Sequence, residues 1–262
     1  ALEEAEVQAV LERLSSARVE TRYVLVNIPA FELIVIDQGQ VVLRSPVVVG
    51  RPSRPTPLLF DQIVNLVLSP TWTPTPMIAR KDILPKAQAD PDFLVRNQIR
   101  VFDSWTADAR ELNPLAVNWA QISPARLNYR FRQSAGPINS LGQVRFSLTN
   151  DAHIYLHDTP NRKLFERPQR AASSGCVRVA DAQALALFAL AANSGWSAER
   201  LNAVIGEQRT LTIKLANPVP IHLIYVTAWV DEQGTAQFRD DIYGLDAVLA
   251  TALSQHATGN TD

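Results

Sequence analysis

The stretch Arg22-Tyr23-Val24-Leu25-Val26-Asn27-Ile28-Pro29-Ala30-Phe31-Glu32-Leu33-Ile34-Val35-Ile36 decides the fold class. Tyr23 to Ile28 and Phe31 to Ile36 are rich in β-branched and aromatic residues, which suit a pleated, half-buried surface. Asp37-Gln38-Gly39 turns the second run into Gln40 to Arg44, the pattern of a hairpin. Val47-Val48-Val49-Gly50 reads as a further short buried strand. Val144 to Leu148, His153 to Leu156, Thr210 to Leu215 and Ile221 to Val230 add strands, and Asp231-Glu232-Gln233-Gly234 turns the last into Thr235 to Phe238. Helices are fewer. Val7, Val10, Leu11 and Leu14 recur at helical spacing, Asp181 to Ala192 is rich in Ala and Leu, and Ala198 to Ile205 ends at Gly206. Leu245 to Leu253 predicts a last helix. The balance is α+β: a mostly β core of mixed sheets, sandwich or barrel-like, with peripheral helices.

From Arg51 the character changes. Pro52, Pro55, Pro57, Pro70, Pro74, Pro76, Pro85 and Pro91 punctuate a stretch that reads as too broken for a regular sheet. Met77 to Lys86 and Pro91 to Arg96 predict short helices within it. Trp72, Trp105 and Trp119 fall in Thr71 to Ser134, three of the chain's five tryptophans. A long, aromatic, proline-rich segment between β runs predicts an inserted lid or binding subdomain rather than a linker. The plainer reading is a satellite hydrophobic cluster with no ligand.

Composition narrows the function classes. Hydrophobic residues at 47% and charged residues at 19% describe a core-forming protein. A net charge of −1 gives no electrostatic reason to bind nucleic acid or an anionic membrane. No apolar run reaches the roughly 18 residues of a membrane span. The first 16 residues hold Glu3, Glu4 and Glu6 and no apolar signal core, so an export signal is expected outside this sequence. With one Cys there is no internal disulfide.

That one thiol lies in Ser173-Ser174-Gly175-Cys176-Val177-Arg178. Small residues let the backbone approach a substrate, and successive N–H groups at Gly175 and Cys176 suit an oxyanion hole. Arg178 and the helix beginning near Asp181 are expected to favour thiolate. The bland alternative is a buried structural Cys. In His153-Ile154-Tyr155-Leu156-His157, strand alternation would set His153, Tyr155 and His157 on one face. His157 then leads into Asp158-Thr159-Pro160, at a strand end where it can reach an open site. A Cys and a His brought together make an activated nucleophile pair. Zinc on His153, His157 and Cys176 is the competing reading, disfavoured because the segment lacks the H-E-x-x-H pattern and reads as strand. No metal and no cofactor is expected.

These residues resemble the signature of YkuD-type L,D-transpeptidases: His157-Asp158-Thr159-Pro160, then Ser173-Ser174-Gly175-Cys176-Val177-Arg178-Val179, with an offset of 19 from position 157 to 176. The resemblance runs from Arg22 to Asp246. The opening stretch, Thr227-Ala228-Trp229-Val230-Asp231 and Asp241-Ile242-Tyr243-Gly244 are similar to a large periplasmic subgroup with a capping subdomain inserted in its catalytic domain. With the helix read from spacing assigned to 1–20, it implies a catalytic domain over 21–262, with 71–134 as the cap. Many members have His where Ser174 stands, which leaves His157 as the one obvious base.

The resemblance implies that Cys176 attacks the carbonyl of an L-residue followed by a D-residue in a peptidoglycan stem peptide. His157 would move the proton, and the thioester would pass to the side-chain amine of diaminopimelate on a second stem. Backbone groups of Ser174, Gly175 and Cys176 would hold the oxyanion. Arg178 and Tyr155 would position the donor, and Trp72 and Trp105 would meet peptide or glycan strands. A structural ion pair is the alternative role for Arg178. Carbapenems are the implied inhibitors and the periplasm the implied location. A 3–3 cross-link is favoured, while prolines narrowing the cleft keep a 1–3 link open. Rival readings are a carboxypeptidase or endopeptidase, in which water resolves the same acyl-enzyme, and a non-catalytic peptidoglycan-binding protein.

Overall fold

The computed structural model describes residues 20–259. The helix expected over 1–20 lies outside the described residues. No helix among them is long and apolar enough to cross a membrane.

One sheet organises the chain. Its strands are β1 (Arg22–Asn27), β2 (Glu32–Asp37), β3 (Gln40–Gly50), β4 (Leu59–Leu68), β8 (Val144–Ser147), β9 (Leu156–His157), β10 (Ala171–Ser173), β11 (Val177–Val179) and β12 (Leu211–Ile224). They run in the order β10-β3-β11-β9-β8-β4-β12-β1-β2, and β2 also pairs with β3. That last pairing brings the two ends together, so the sheet closes into a barrel and removes most free edges. Closure depends on β3. Its first part, Gln40 to Pro46, pairs with β2, and Val47-Val48 pairs with β11. Three pairings are parallel, β1 with β12, β9 with β11 and β10 with β3, so the sheet is mixed.

The barrel is filled by Ile28, Leu33, Ile63, Leu66, Leu68, Phe146 and Leu156, none of which is exposed at all. Each contributes about 1.5–3 kcal/mol by leaving water. The helix Ala182–Ala189 lays Ala182, Leu185, Ala186 and Ala189 against this core.

Three sequence expectations need correction. The proline-rich stretch was expected to hold no regular sheet, yet β4 spans Leu59–Leu68 inside it. Pro57 and Pro70 bound that strand rather than break it. Residues His153 to Leu156 are not a strand: β9 is only Leu156–His157, because His153 takes a left-handed φ of 56°. The run Ile221 to Val230 divides. β12 ends at Ile224, having absorbed Pro218 through a register shift between Lys214 and Val219, and β13 (Ala228–Val230) pairs with β14 (Ala236–Phe238).

Between β4 and β8 lies a second, smaller cluster. Residues 76–89 form a helical run interrupted by a π-helical turn, Ala79–Ile83. β5 (Ile99–Phe102) pairs with β6 (Glu111–Leu112) and β7 (Arg130–Gln133). Ile83, Leu84, Leu94, Val101, Trp119 and Phe131 make its core. Trp72 and Gln133 exchange backbone hydrogen bonds of 3.0 and 2.7 Å where the segment leaves and rejoins the barrel.

Candidate active site

Strand register builds the site. In β9 and β11 Val177 lies opposite Leu156 and Arg178 opposite His157; in β8 and β9 Arg145 lies opposite His157. Opposed residues point to the same face, and so do residues two apart along a strand. Arg145, His157 and Arg178 therefore form one row across three strands, with Tyr155 and Cys176 alongside it. Leu156 and Val177 point the other way and are fully buried in the barrel.

Cys176 ends a crossover. β10 and β11 flank β3, so Ser174, Gly175 and Cys176 must pass over the end of β3. Gly175 has φ +116°, a conformation that side chains rarely adopt. Ser173 closes the turn: its Oγ accepts from Gly175 N at 3.1 Å and donates to the Cys176 carbonyl at 2.6 Å. The loop bearing Tyr155 is fixed from β4. Asp61 accepts from the backbone N–H groups of Thr149 and Asn150, and Asn150 clasps both Ile154 N and Ile154 O at 3.0 Å.

His157 is 5% exposed, and its Nδ1 lies 2.5 Å from the Asp158 carbonyl. A carbonyl only accepts, so Nδ1 carries the proton and Nε2 keeps the free lone pair. Burial, with the Arg178 and Arg145 charges beside it, pushes the imidazole down to about 3 against the Asp158 bond. It is neutral at physiological pH, as a proton acceptor must be.

The thiol departs from expectation. Burial pushes Cys176 up, and it outweighs the Tyr155 N–H and phenol donors and the Arg178 and Arg145 charges. The resting pair is therefore a thiol and a neutral imidazole. Cys176 Sγ donates to the His153 carbonyl at 3.9 Å, and no thiol–imidazole hydrogen bond forms among the described residues.

The other expected residues divide. Tyr155 packs its ring 5.7 Å from His157, although the shared strand face expected for His153 fails: His153 is exposed and contributes only its carbonyl. Ser174 Oγ accepts from Arg54 Nη1 at 2.8 Å, and the same nitrogen pairs with Asp82 on the π-helical turn. Trp72 pairs through its backbone with Gln133 where the insert meets the barrel, and its side chain lies near enough to Tyr155 to act on the phenol. Trp105, 43% exposed, lines a separate cavity of about 250 Å³ with Pro76, Arg80 and Tyr129. The structure does not bring Trp105 to Cys176.

Sequence reasoning missed Arg145. The signal was present, since Val144-Arg145-Phe146 alternates on a strand and leaves an arginine facing away from the core. Its guanidinium lies 5.5 Å from the Tyr155 ring centroid, and the buried Nε atoms of Arg145 and Arg178 have no protein partner. Neither arginine forms an ion pair among the described residues. A buried donor left unmade costs about 1–3 kcal/mol, so two of them on one face suit an incoming anion.

Comparisons with known proteins give the family. The family model for the YkuD L,D-transpeptidase catalytic domain matches residues 21–221. A Haemophilus influenzae protein named "Putative L,D-transpeptidase" is 37% identical over 229 residues, which cover 87% of this chain and 45% of that protein. The chain thus spans less than half the length of that relative. Solved structures include an L,D-transpeptidase from Mycobacterium smegmatis, 12% identical over 78% of this chain and 58% of that one, with a TM-score of 0.36. The catalytic domain of an E. faecium L,D-transpeptidase, solved as its ertapenem acyl form, is 12% identical over 79% of this chain and 100% of that one, with a TM-score of 0.34. With the family pattern matched from β1 into β12, around the loop that carries Cys176, the chain belongs to the YkuD family of L,D-transpeptidase catalytic domains.

Proposed function

We propose that this protein is a cysteine-dependent L,D-transpeptidase of peptidoglycan. The observation that carries the reading is the row Arg145, His157, Arg178 beside Cys176 and Tyr155. It sets a thiol, a neutral base with a free Nε2 and two guanidiniums whose buried Nε atoms have no protein partner on one face of the barrel.

The thiol proton passes to His157 Nε2 as sulfur attacks the carbonyl of an L-residue followed by a D-residue. The C–N bond breaks, and His157 returns the proton to the leaving D-residue amine. Because the thiol rests protonated, deprotonation accompanies attack rather than preceding it. Arg145 and Arg178 pair with the carboxylate of the donor peptide. The diaminopimelate side-chain amine of a second stem then attacks the thioester, its proton goes to His157, and Cys176 leaves as thiol. Backbone N–H groups of the Ser174 to Cys176 turn hold the oxyanion in both halves.

On this reading the partners are stem peptides on glycan strands, the location is the periplasm, and 71–134 caps the cleft. A carbapenem would acylate Cys176, since its strained lactam carbonyl mimics the scissile amide. The 3–3 link is the expected product. Incubation with purified tetrapeptide stems, read by fragmentation mass spectrometry, tests the assignment. A dimer lacking one D-Ala supports it; a trimmed monomer makes the protein a carboxypeptidase, and unchanged substrate makes it a binder. A dimer whose donor has lost everything beyond L-Ala replaces the 3–3 link by the 1–3 link.

A further inference from the structure

The C-terminal motif Asp241-Ile242-Tyr243-Gly244 lies beyond residue 221, where the family match ends. The structure folds it back onto the loop that carries Cys176. The Tyr243 ring stacks on Tyr225 with centroids 5.5 Å apart, and the Tyr225 hydroxyl accepts from Tyr243 N at 2.8 Å while donating to Asp241. Asp241 in turn accepts from Leu245 N and Asp246 N. The phenol is therefore held in place before it reaches anything else.

It reaches Gly50. The Tyr243 hydroxyl donates to the Gly50 carbonyl at 2.6 Å and accepts from Thr56 N at 3.1 Å. Thr56 Oγ1 donates to the Gly175 carbonyl at 2.7 Å and accepts from Gly50 N at 2.8 Å. Gly50 thus has both backbone groups taken, and Gly175 is tied to the same knot.

Register shows why this matters. β11 and β3 run antiparallel, with Val179 opposite Val47 and Arg178 opposite Val48. Just outside the ladder Ala180 N donates to Pro46 O at 3.0 Å, which marks the opposed positions 180 and 46 as a hydrogen-bonded pair. Such pairs recur every second residue in an antiparallel ladder. Arg178 with Val48 is the next, and Cys176 with Gly50 would follow. In an unbroken ladder Cys176 N–H would be spent on the Gly50 carbonyl. Instead the ladder stops. Tyr243 occupies the Gly50 carbonyl, Thr56 takes Gly50 N–H, and Ser173 Oγ takes the Cys176 carbonyl. Of the four groups that would have closed that rung, only Cys176 N–H is left without a partner among the described residues. The Thr56 bond also aims it. In a trans peptide the Gly175 carbonyl and the Cys176 N–H point in opposite directions, so pinning one directs the other away from Thr56.

We propose that Tyr243, acting with Thr56, is a positioning residue that keeps the Cys176 N–H open as an oxyanion donor by holding the Gly50 carbonyl out of the strand ladder. The inference rests on the cysteine acyl-transfer reading. It adds that a segment outside the family's matched span completes the site.

The test separates two reactions of the same sulfur. Acylation by a carbapenem develops an oxyanion; alkylation by iodoacetamide does not. Tyr243→Phe keeps the stacked ring and removes only the hydroxyl. It should slow acylation by about 10-fold or more, short of or approaching the 10²–10³-fold loss of an oxyanion donor outright, with alkylation within about twofold of wild type. Thr56→Val should behave likewise, and Thr56→Ser should restore most of the rate. Acylation by Tyr243→Phe within about twofold of wild type overturns the proposal. So does a parallel fall in both reactions, which would make the hydroxyl a general support of the fold. Failure of the carbapenem to acylate the wild-type protein at Cys176 removes the acyl-transfer reading and this inference with it.

Discussion

The barrel and the segment inserted between β4 and β8 are built by different means. In the barrel, long strands fix side chains by register, so Arg145, His157 and Arg178 fall into a row without any local motif joining them. In the insert, short helical turns, two- to four-residue strands and a Trp119–Phe131 core make a compact body whose hydrophobic cluster is separate. On the proposed reading the chemistry belongs to the barrel, where position is set by backbone hydrogen bonds. A polar link ties the insert to the cysteine loop: Arg54 pairs with Asp82 and donates to Ser174. The difference predicts that barrel changes abolish chemistry while insert changes tune access.

The largest effects should come from the barrel face. Cys176→Ala should lower cross-linking by at least about 10³-fold with a melting temperature close to wild type, since the half-buried thiol supports no core contact that Ala loses. His157→Gln should cost about 10²–10⁴-fold, the usual worth of a positioned base. Residual activity near wild type in either variant would move the chemistry elsewhere.

Next come the arginines. Arg145→Gln and Arg178→Gln should each weaken kcat/KM for tetrapeptide stems by about tenfold or more, as for a lost charge-assisted pair of about 1.5–3 kcal/mol. A donor whose carboxylates are amidated should feel the substitutions much less. Equal loss on both donors would return the arginines to a structural role.

The insert should give the smaller effects. Asp82→Asn should slow muropeptide turnover by about 3- to 10-fold, the loss of one modest hydrogen bond. Alkylation by iodoacetamide should stay near wild type. Equal loss in both reactions would erase the proposed division between chemistry and access.

These expectations follow unevenly from sequence. Cys176, His157 and Arg178 stand out because a Gly-Cys turn and a His before Asp158-Thr159-Pro160 are local patterns. Tyr155 was found through a strand that β9 does not form, and it faces His157 all the same. Arg145, Thr56 and Tyr243 become legible only when β8, β3 and the C-terminal motif are brought together; Thr56 and Tyr243 are 187 positions apart. β4 was hidden because a proline beside a strand and a proline inside one look alike in a string of letters. The sign of the Cys176 shift was misjudged for a related reason: Arg178 is visible in the sequence, but the burial that outweighs it is not.

A separate effect is expected on stability. Burial pushes the folded His157 imidazole down to about 3 against 6.5 for an ordinary imidazole, so between those values the unfolded chain binds the extra proton. Stability should therefore fall as pH drops from about 6.5 toward 3, and His157→Gln should flatten that part of the curve. An unchanged slope in His157→Gln would mean that the imidazole is accessible to protons in the fold. Activity should show no loss at an ordinary imidazole pKa, because the reactive pair, a protonated thiol and a neutral imidazole, is populated on both sides of it.

The central claim is that Cys176 carries the acyl group, and intact-mass spectrometry with a tetrapeptide stem tests it most directly. The account predicts one adduct with the mass of the stem minus D-Ala, mapped to Cys176, released when a second stem supplies its amine and missing in Cys176→Ala. Cross-linked product formed at wild-type rates by Cys176→Ala, or an adduct mapped to another residue, would contradict it.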